Sequence, residues 1–144
     1  MAAPSALAQK QTIMTRGTLK IGIVMDPIES ITPYKDSSLA MLLEAERRGA
    51  HIHYFQQHDL KLLRGAAIGH SQRLRVRDDN ASWYDLGEAA EIDLGDLDVI
   101  LMRKDPPFDM EYVYTTYILD RAREAGALVV NHPQALRDMN EKAY

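Results

Sequence analysis

The chain has no cysteine, no long apolar run and no excess of positive charge. Without cysteine it forms neither a disulfide framework nor a thiolate nucleophile, which fits a reducing compartment such as the cytoplasm. No window is apolar and long enough to span a bilayer, so no membrane partner is expected. A formal net charge of -4 with both signs interspersed lacks the basic surface of a nucleic-acid-binding domain. Composition therefore argues against disulfide-rich, membrane and nucleic-acid-binding classes.

Several ligand-site motifs are also missing. The first predicted strand is not followed by the Gly-x-Gly-x-x-Gly of a dinucleotide cradle, and there is no P-loop. A phospho-acceptor receiver domain needs an acidic pair after that strand, and only Asp26 is there. His51 and His53 share a strand face, but no Asp, Glu or Cys joins them at the spacing of a metal site. We interpret them as solvated edge histidines and predict no metal site.

The most informative segment that is present runs from Asp96 to Asp109. Within it, Val99 to Met102 is short and wholly apolar, which is typical of a strand buried on both faces. It ends in the sequence Arg-Lys-Asp-Pro-Pro, whose prolines lack the amide hydrogens that a sheet needs. A charged loop is therefore predicted at the carboxyl end of a buried strand, the edge at which open α/β sheets bind ligands.

Strands and helices alternate along the chain. The predicted strands are Leu19–Met25, His51–Phe55, Val99–Met102 and Ala127–Val130, and the predicted helices are Ser38–Arg48 and a long helix capped by Asp109. The buried face of the long helix is expected to comprise Met110, Val113, Tyr114, Tyr117, Ile118, Ala122 and Ala125. This alternation implies right-handed crossovers and an α/β fold, with a mostly parallel sheet flanked by helices.

A β-rich insertion of about residues 59–95 interrupts the alternation. Leu60–Leu63 and Arg73–Arg77 alternate as the strands of a half-exposed hairpin would, with Gly65 and Gly69 as turn residues. The arginines at positions 73, 75 and 77 would share one face of that hairpin. The default interpretation is a solvated face; binding of an anion or of a partner subunit is the alternative.

Polar residues follow three of the predicted strands. If the sheet is parallel, Asp26, Arg103 and Asn131 lie on one rim with Lys104, and together they line a crevice for a polar ligand. Arg103 would bind a carboxylate or a phosphate through two hydrogen bonds. In the alternative interpretation, Arg103 and Asp105 pair with each other and the prolines only stiffen a turn.

The two ends of the chain differ from its middle. Residues 1–18 have no sustained apolar segment, which argues against a secretory signal and predicts a disordered leader or tag. Residues 19–133 form the predicted domain. A helix that begins at Asn140, a good N-cap, has no room to finish. We therefore expect residues 134–144 to start the connection to a further module.

Four segments closely resemble the bacterial glutathione synthetases, namely Lys20–Pro27, Lys35–Gly49, Asp96–Asp109 and the span from Val130 to Lys142. The resemblance covers nearly the whole chain from Leu19 onward. It is weak in the insertion from Leu60 to Gly95, and Ala135 stands where the family often has Ser.

The resemblance implies a Rossmann-like pre-ATP-grasp domain of an ATP-grasp ligase. Such an enzyme joins γ-glutamylcysteine to glycine: ATP phosphorylates the cysteinyl carboxylate, and the amine of glycine then displaces phosphate. ATP and Mg²⁺ would be bound mainly by a later module, so no catalytic residue is assigned to this chain. Because that module would be missing, the chain alone is expected to be inactive. Assembly into a homo-oligomer is also implied.

The resemblance implies a role for one residue of this chain. Lys142 falls where ATP-grasp enzymes place a lysine that reaches the ATP phosphates, although a solvated first-turn residue is the plainer interpretation. From their position on the rim, and not from a family signature, Asp26, Arg103 and Lys104 would face the interdomain cleft near the dipeptide. The alternative for the whole chain is a non-catalytic, flavodoxin-like regulatory or oligomerisation module with a purely structural rim.

Overall fold

A computed structural model describes residues 18–104 and 109–130 of the chain. Within these residues seven strands form one sheet, and two α-helices pack against it. The strands are β1 (Lys20–Val24), β2 (His51–Phe55), β3 (Leu60–Leu63), β4 (Ala66–Val76), β5 (Tyr84–Asp93), β6 (Val99–Met102) and β7 (Leu128–Val130); the helices are α1 (Ser37–Arg47) and α2 (Met110–Glu124). The predicted α/β class is confirmed.

The sheet has a parallel half and an antiparallel half. Its order is β3-β4-β2-β1-β6-β7, with β5 on the outer side of β4. The pairs β1–β2, β1–β6 and β6–β7 are parallel, whereas β4 runs antiparallel to β2, β3 and β5. In the parallel half the carboxyl ends of β1, β2, β6 and β7 therefore meet at one edge of the sheet.

Each face of the sheet carries its own core. The face covered by α1 buries Ile21, Ile23, Ile28, Leu39, Leu42, Ile52, Tyr54 and Leu74. The face covered by α2 buries Val24, Phe55, Leu94, Leu97, Ile100, Met102, Ile118 and Leu119. Burial on both faces explains why β1 and β6 read as continuous apolar runs rather than as alternating strands.

The insertion is a three-stranded meander, which is one strand more than the predicted hairpin. Arg64 and Gly65 both have positive φ (52° and 81°), as the two central residues of a tight β-hairpin turn require. Gly69 was predicted to lie in a turn, and that prediction is wrong because Gly69 lies inside β4. A Cβ atom at Gly69 would stand 2.5 Å from Cε1 of Phe55, so the glycine is needed for close packing.

Helix α2 begins where predicted, because the side chain of Asp109 accepts a hydrogen bond from the backbone N–H of Tyr112. The predicted buried face is largely wrong. Ile118 and Ala122 are buried, but Met110, Tyr114 and Tyr117 are exposed. Their place is taken by the threonines at positions 115 and 116, whose hydroxyls donate to backbone carbonyls of the same helix, so that only their methyl groups need packing.

Candidate substrate-binding rim

The rim is built by the register of β1 and β6. Val24 pairs with Met102, so the residues that follow each strand emerge side by side. The N–H of Arg103 still donates to the carbonyl of Val24 at 2.8 Å, which continues the ladder by one bond beyond the strand. Asp26, Arg103 and Lys104 are thereby brought to one edge of the sheet. The predicted Asn131 and Lys142 lie outside the described residues.

Asp26 and Lys104 form an ion pair across this edge. Nζ of Lys104 lies 2.9 Å from Oδ1 of Asp26, and the two side chains are 18% and 32% exposed. Such partial burial shields the pair from water more than a pair on an open surface. Recesses at the rim lie on both sides of this ion pair, one toward α1 and one toward α2.

Arg103 is held by the start of α1. Its Nε donates to Oγ of Ser38 at 3.1 Å, and its Nη2 donates to Oγ of Ser37 at 2.7 Å. The first turn of α1 is fixed in turn, since Oδ1 of Asp36 accepts from the N–H of Leu39 at 2.8 Å. These two acceptors are neutral hydroxyls, so they orient the positive charge of Arg103 without neutralising it. Asp105, the alternative partner, lies outside the described residues.

The recess on the side of α1 has a volume of about 190 Å³. It is lined by Met25, Asp26, Ile31, Lys35, Asp36, Ser37, Ser38 and Arg103. Cations and carboxylates thus stand together beside the amino end of α1, whose N–H groups favour an anion. This recess has the charge pattern to bind a small zwitterion through its carboxylate and its amine.

The recess on the side of α2 is of similar size, about 220 Å³, but more acidic. Its lining includes Asp26, Lys104, His58, Asp109 and Glu111.

In the described ranges, 18–104 and 109–130, no group of three or more His, Asp or Glu side chains is arranged to hold a metal ion. No described helix is long and apolar enough to cross a membrane.

The arginines at positions 73, 75 and 77 have separate contacts within the domain. Nε of Arg75 donates to Oε1 of Glu46 on α1 at 2.8 Å, and Nη1 of Arg77 donates to Oδ2 of Asp85 on β5 at 2.6 Å. Arg73 lies opposite His53, and burial lowers the pKa of His53, with the charge of Arg73 as the second cause. Arg75 and Arg77 are exposed, as the default interpretation of a solvated face predicts, whereas Arg73 is half-buried.

Sequence reasoning missed the role of the residues that start α1. Ser38 was predicted only as the first residue of a helix, and the contact of Ser37 and Ser38 with Arg103 joins positions more than sixty residues apart. No site role was predicted for Lys35, although it lines the same recess. The sequence feature that could have indicated a site role for Lys35, Ser37 and Ser38 is the cluster of polar residues that they form after the turn that ends β1.

Comparison with known proteins identifies the family of this chain. Residues 19–137 match the family described as prokaryotic glutathione synthetase, N-terminal domain. The chain belongs to this family. It is 57% identical over 126 residues to the glutathione synthetase of Salmonella typhimurium, 56% identical to that of Vibrio parahaemolyticus and 55% identical to that of Escherichia coli K12. Each match covers 88% of this chain and 40% of the relative.

Membership confirms the predicted resemblance and extends it through the insertion, which lies inside the matched range. The non-catalytic flavodoxin-like module is not favoured. The chain spans only 40% of the length of these relatives, so the larger part of each relative has no counterpart in this chain.

Proposed function

We propose that this chain is the amino-terminal, substrate-side domain of a glutathione synthetase. The whole enzyme would ligate γ-glutamylcysteine and glycine, using ATP to activate the cysteinyl carboxylate as an acyl phosphate. The observation that carries the proposal is the family match across residues 19–137, supported by 57% identity to a relative of that name. As a cytoplasmic enzyme it would need neither a membrane nor a nucleic-acid partner.

Within this function, the recess on the side of α1 would bind one end of the dipeptide. γ-Glutamylcysteine carries two carboxylates and one ammonium group. Arg103, oriented by its hydrogen bonds to the two serine hydroxyls, would donate from other N–H groups to a carboxylate, and Lys35 adds a second cation to the same recess. Asp26 and Asp36, which line the same recess, would receive the ammonium group. Lys104 would be kept in place at the rim by Asp26.

ATP and Mg²⁺ do not fit the described residues, which have no P-loop and no acidic cluster that could hold a metal. In the proposed enzyme they would be bound mainly by the part of the relatives that this chain does not cover. When bound, ATP with Mg²⁺ would supply the phosphoryl group that activates the carboxylate. Lys142 remains our proposed contribution of this chain to ATP binding, and Asn131 remains a proposed member of the rim.

The function is tested with a chimera. This chain replaces the matching 40% of the Salmonella typhimurium relative, and phosphate release is measured with ATP, Mg²⁺, γ-glutamylcysteine and glycine. We expect release that requires both γ-glutamylcysteine and glycine. The unaltered relative is the positive control. A folded chimera that releases no phosphate while the relative does would contradict the proposal.

A further inference from the structure

The segment that joins β1 to α1 forms one wall of the recess on the side of α1. We call residues 26–36 the recess loop. Its members Asp26, Ile31, Lys35 and Asp36 line that recess, and they also line a second hollow of about 440 Å³ that adjoins it. The loop contains two short turns of 3₁₀ helix, neither of which has a side-chain cap. The position of the loop therefore depends on its contacts with the rest of the domain.

Ile28 is the one buried residue of the recess loop. Its side chain is fully buried in the core on the side of α1. Both polar groups of its backbone are bonded by side chains of other elements. Its N–H donates to the hydroxyl of Tyr54 on β2 at 3.1 Å, and its carbonyl accepts from Nε1 of Trp83 at 3.1 Å. Because a buried backbone group without a partner is costly, these two bonds fix the loop at its buried residue.

Trp83 is itself held in place. It lies between β4 and β5, and its carbonyl accepts from the N–H of Arg77 at 2.9 Å. Its ring packs against the core on the side of α1 and contacts the ring of Tyr84, with the two centroids 5.5 Å apart. The indole N–H is thus presented to Ile28 by a side chain whose backbone and ring are both fixed by the insertion.

We propose that Trp83 is a positioning residue for the dipeptide, because its hydrogen bond to Ile28 keeps the recess loop where Asp26 and Lys35 can meet the substrate. The inference rests on the proposed function and gives the insertion a part in it, although Trp83 lines neither hollow. Asp26 lies two residues before Ile28, and Ile31 lies three residues after it. A shift of roughly 1 Å at Ile28 would therefore reach the lining, and misplacement of that size can cost an enzyme up to about a hundredfold in rate.

The plainer interpretation is that Trp83 only stabilises the core. The two interpretations differ in the expected effect of Trp83→Phe. Phenylalanine keeps an aromatic ring in the core but cannot donate to the carbonyl of Ile28, so the loop either retains an unpaired buried carbonyl or moves until water reaches it. A structural role would lower the stability alone, whereas a positioning role also changes how the folded variant binds the dipeptide.

The kinetic test uses the chimera described above, at a temperature at which every variant is folded. In Trp83→Phe we expect KM for γ-glutamylcysteine to rise by about five- to tenfold. KM for ATP should stay unchanged, because ATP would be bound mainly by the part of the enzyme that this chain does not cover. Ser71→Ala is the matched control, since it removes a bond of the same kind inside the insertion, from Oγ of Ser71 to the carbonyl of Ala90 at 3.1 Å. It should leave both KM values unchanged.

Amide hydrogen exchange in the 144-residue chain tests the position of the loop without any turnover. We expect Trp83→Phe to speed exchange at the N–H groups of Ile28 and Ser30 by about tenfold, because the hydrogen bonds of both depend on where the loop lies. Tyr54→Phe removes the other partner of Ile28 and should speed the same two amides. The amides of β6 and α2 should exchange as in the wild type, and Ser71→Ala should leave the loop unchanged.

Three results would overturn the proposal. They are an unchanged KM for the dipeptide in the folded Trp83→Phe chimera, an equal rise in KM for ATP, and exchange that quickens throughout the domain instead of in the recess loop. An inactive chimera that carries Trp83 would contradict the proposed function instead. The exchange measurement would then still decide whether Trp83 holds the loop.

Discussion

Lys104 and Asp26 lie 2.9 Å apart although they follow different strands and stand almost eighty positions apart in the chain. Their meeting depends on the parallel pairing of β1 and β6, which delivers the residues after each strand to one edge. The same pairing places Arg103 against the first turn of α1. The polar rim is thus a direct product of sheet topology, and its parts can be tested one at a time.

Arg103→Ala should weaken dipeptide binding in the chimeric enzyme. Loss of a charge-assisted hydrogen bond to a carboxylate costs about 1.5–3 kcal/mol, so we expect KM for γ-glutamylcysteine to rise by roughly tenfold or more. Asp26→Ala should raise it less. The measurement is steady-state kinetics with the dipeptide varied at saturating ATP and glycine. An unchanged KM in the arginine variant would remove Arg103 from the site.

Separating Lys104 from Asp26 should destabilise the domain modestly. Because the pair is partly exposed, we expect Lys104→Met to lower the free energy of unfolding by about 1 kcal/mol. Both residues have other interactions, so a double-mutant cycle with Asp26→Asn is needed to isolate the pair. Urea unfolding of the four proteins measures the coupling. Strictly additive effects would show that the ion pair contributes nothing.

Gly69→Ala should be strongly destabilising. Its Cβ would stand 2.5 Å from Cε1 of Phe55 and 2.8 Å from Cδ2 of Leu94, both of which are buried. We expect a loss of about 2 kcal/mol in the free energy of unfolding, as for other overpacked cores. Gly87→Ala is the matched control in the same sheet, because its Cβ meets Arg73 only at 3.5 Å, an ordinary contact. Equal losses at both glycines would argue against the packing explanation.

The stability of α1 should depend on acid through Glu44. Hydrogen bonds from Arg47 and then from Arg48 lower the pKa of Glu44 from 4.5 to about 2. A carboxylate whose pKa is lowered by folding stabilises the folded state at pH values above its ordinary pKa. This stabilisation is lost as the pH falls through the lowered, folded-state pKa. Glu44→Gln should therefore be less stable than the wild type at pH 7, with a difference that disappears between about pH 4.5 and about pH 2.

Denaturant unfolding of both proteins at several pH values measures this difference. Because Glu44 lies on the surface, high salt should reduce the difference at pH 7. A difference that does not change with pH would mean that the glutamine variant acts through some other property of the helix.

The 144-residue chain alone should release no phosphate from ATP above background in the presence of Mg²⁺, dipeptide and glycine. The reason is that it spans 40% of its relatives' length and that its described residues offer no phosphate-binding loop. A coupled phosphate assay beside the active chimera provides the comparison. Turnover by the chain alone would show that the catalytic groups lie within it.

Much of the architecture was predictable because it depends on local patterns. The apolar run of β6, the Asp109 cap of α2 and the polar residues after β1 and β6 are all visible in the sequence. Parallel pairing then follows from the alternation of strands and helices. The position of Asp26, Arg103 and Lys104 on one edge could therefore be derived without coordinates.

The remaining features depend on tertiary contacts that no local pattern specifies. Thr115 and Thr116 are polar residues, yet they are buried in place of Tyr114 and Tyr117, because their hydroxyls bond to their own helix. Gly69 resembles a turn residue until Phe55 is known to lie against it. Likewise, the serines that orient Arg103 become visible only once α1 is placed beside β6.

The contact between Arg103 and the two serines also links recognition to folding. The recess exists only when β6 and α1 are both in place, so an unfolded chain retains no trace of it. Any molecule that occupies the recess will therefore bind the native state alone and raise the melting temperature in proportion to the logarithm of its concentration. A thermal-shift screen of small zwitterions can thus rank candidate ligands on this domain without any assay of turnover.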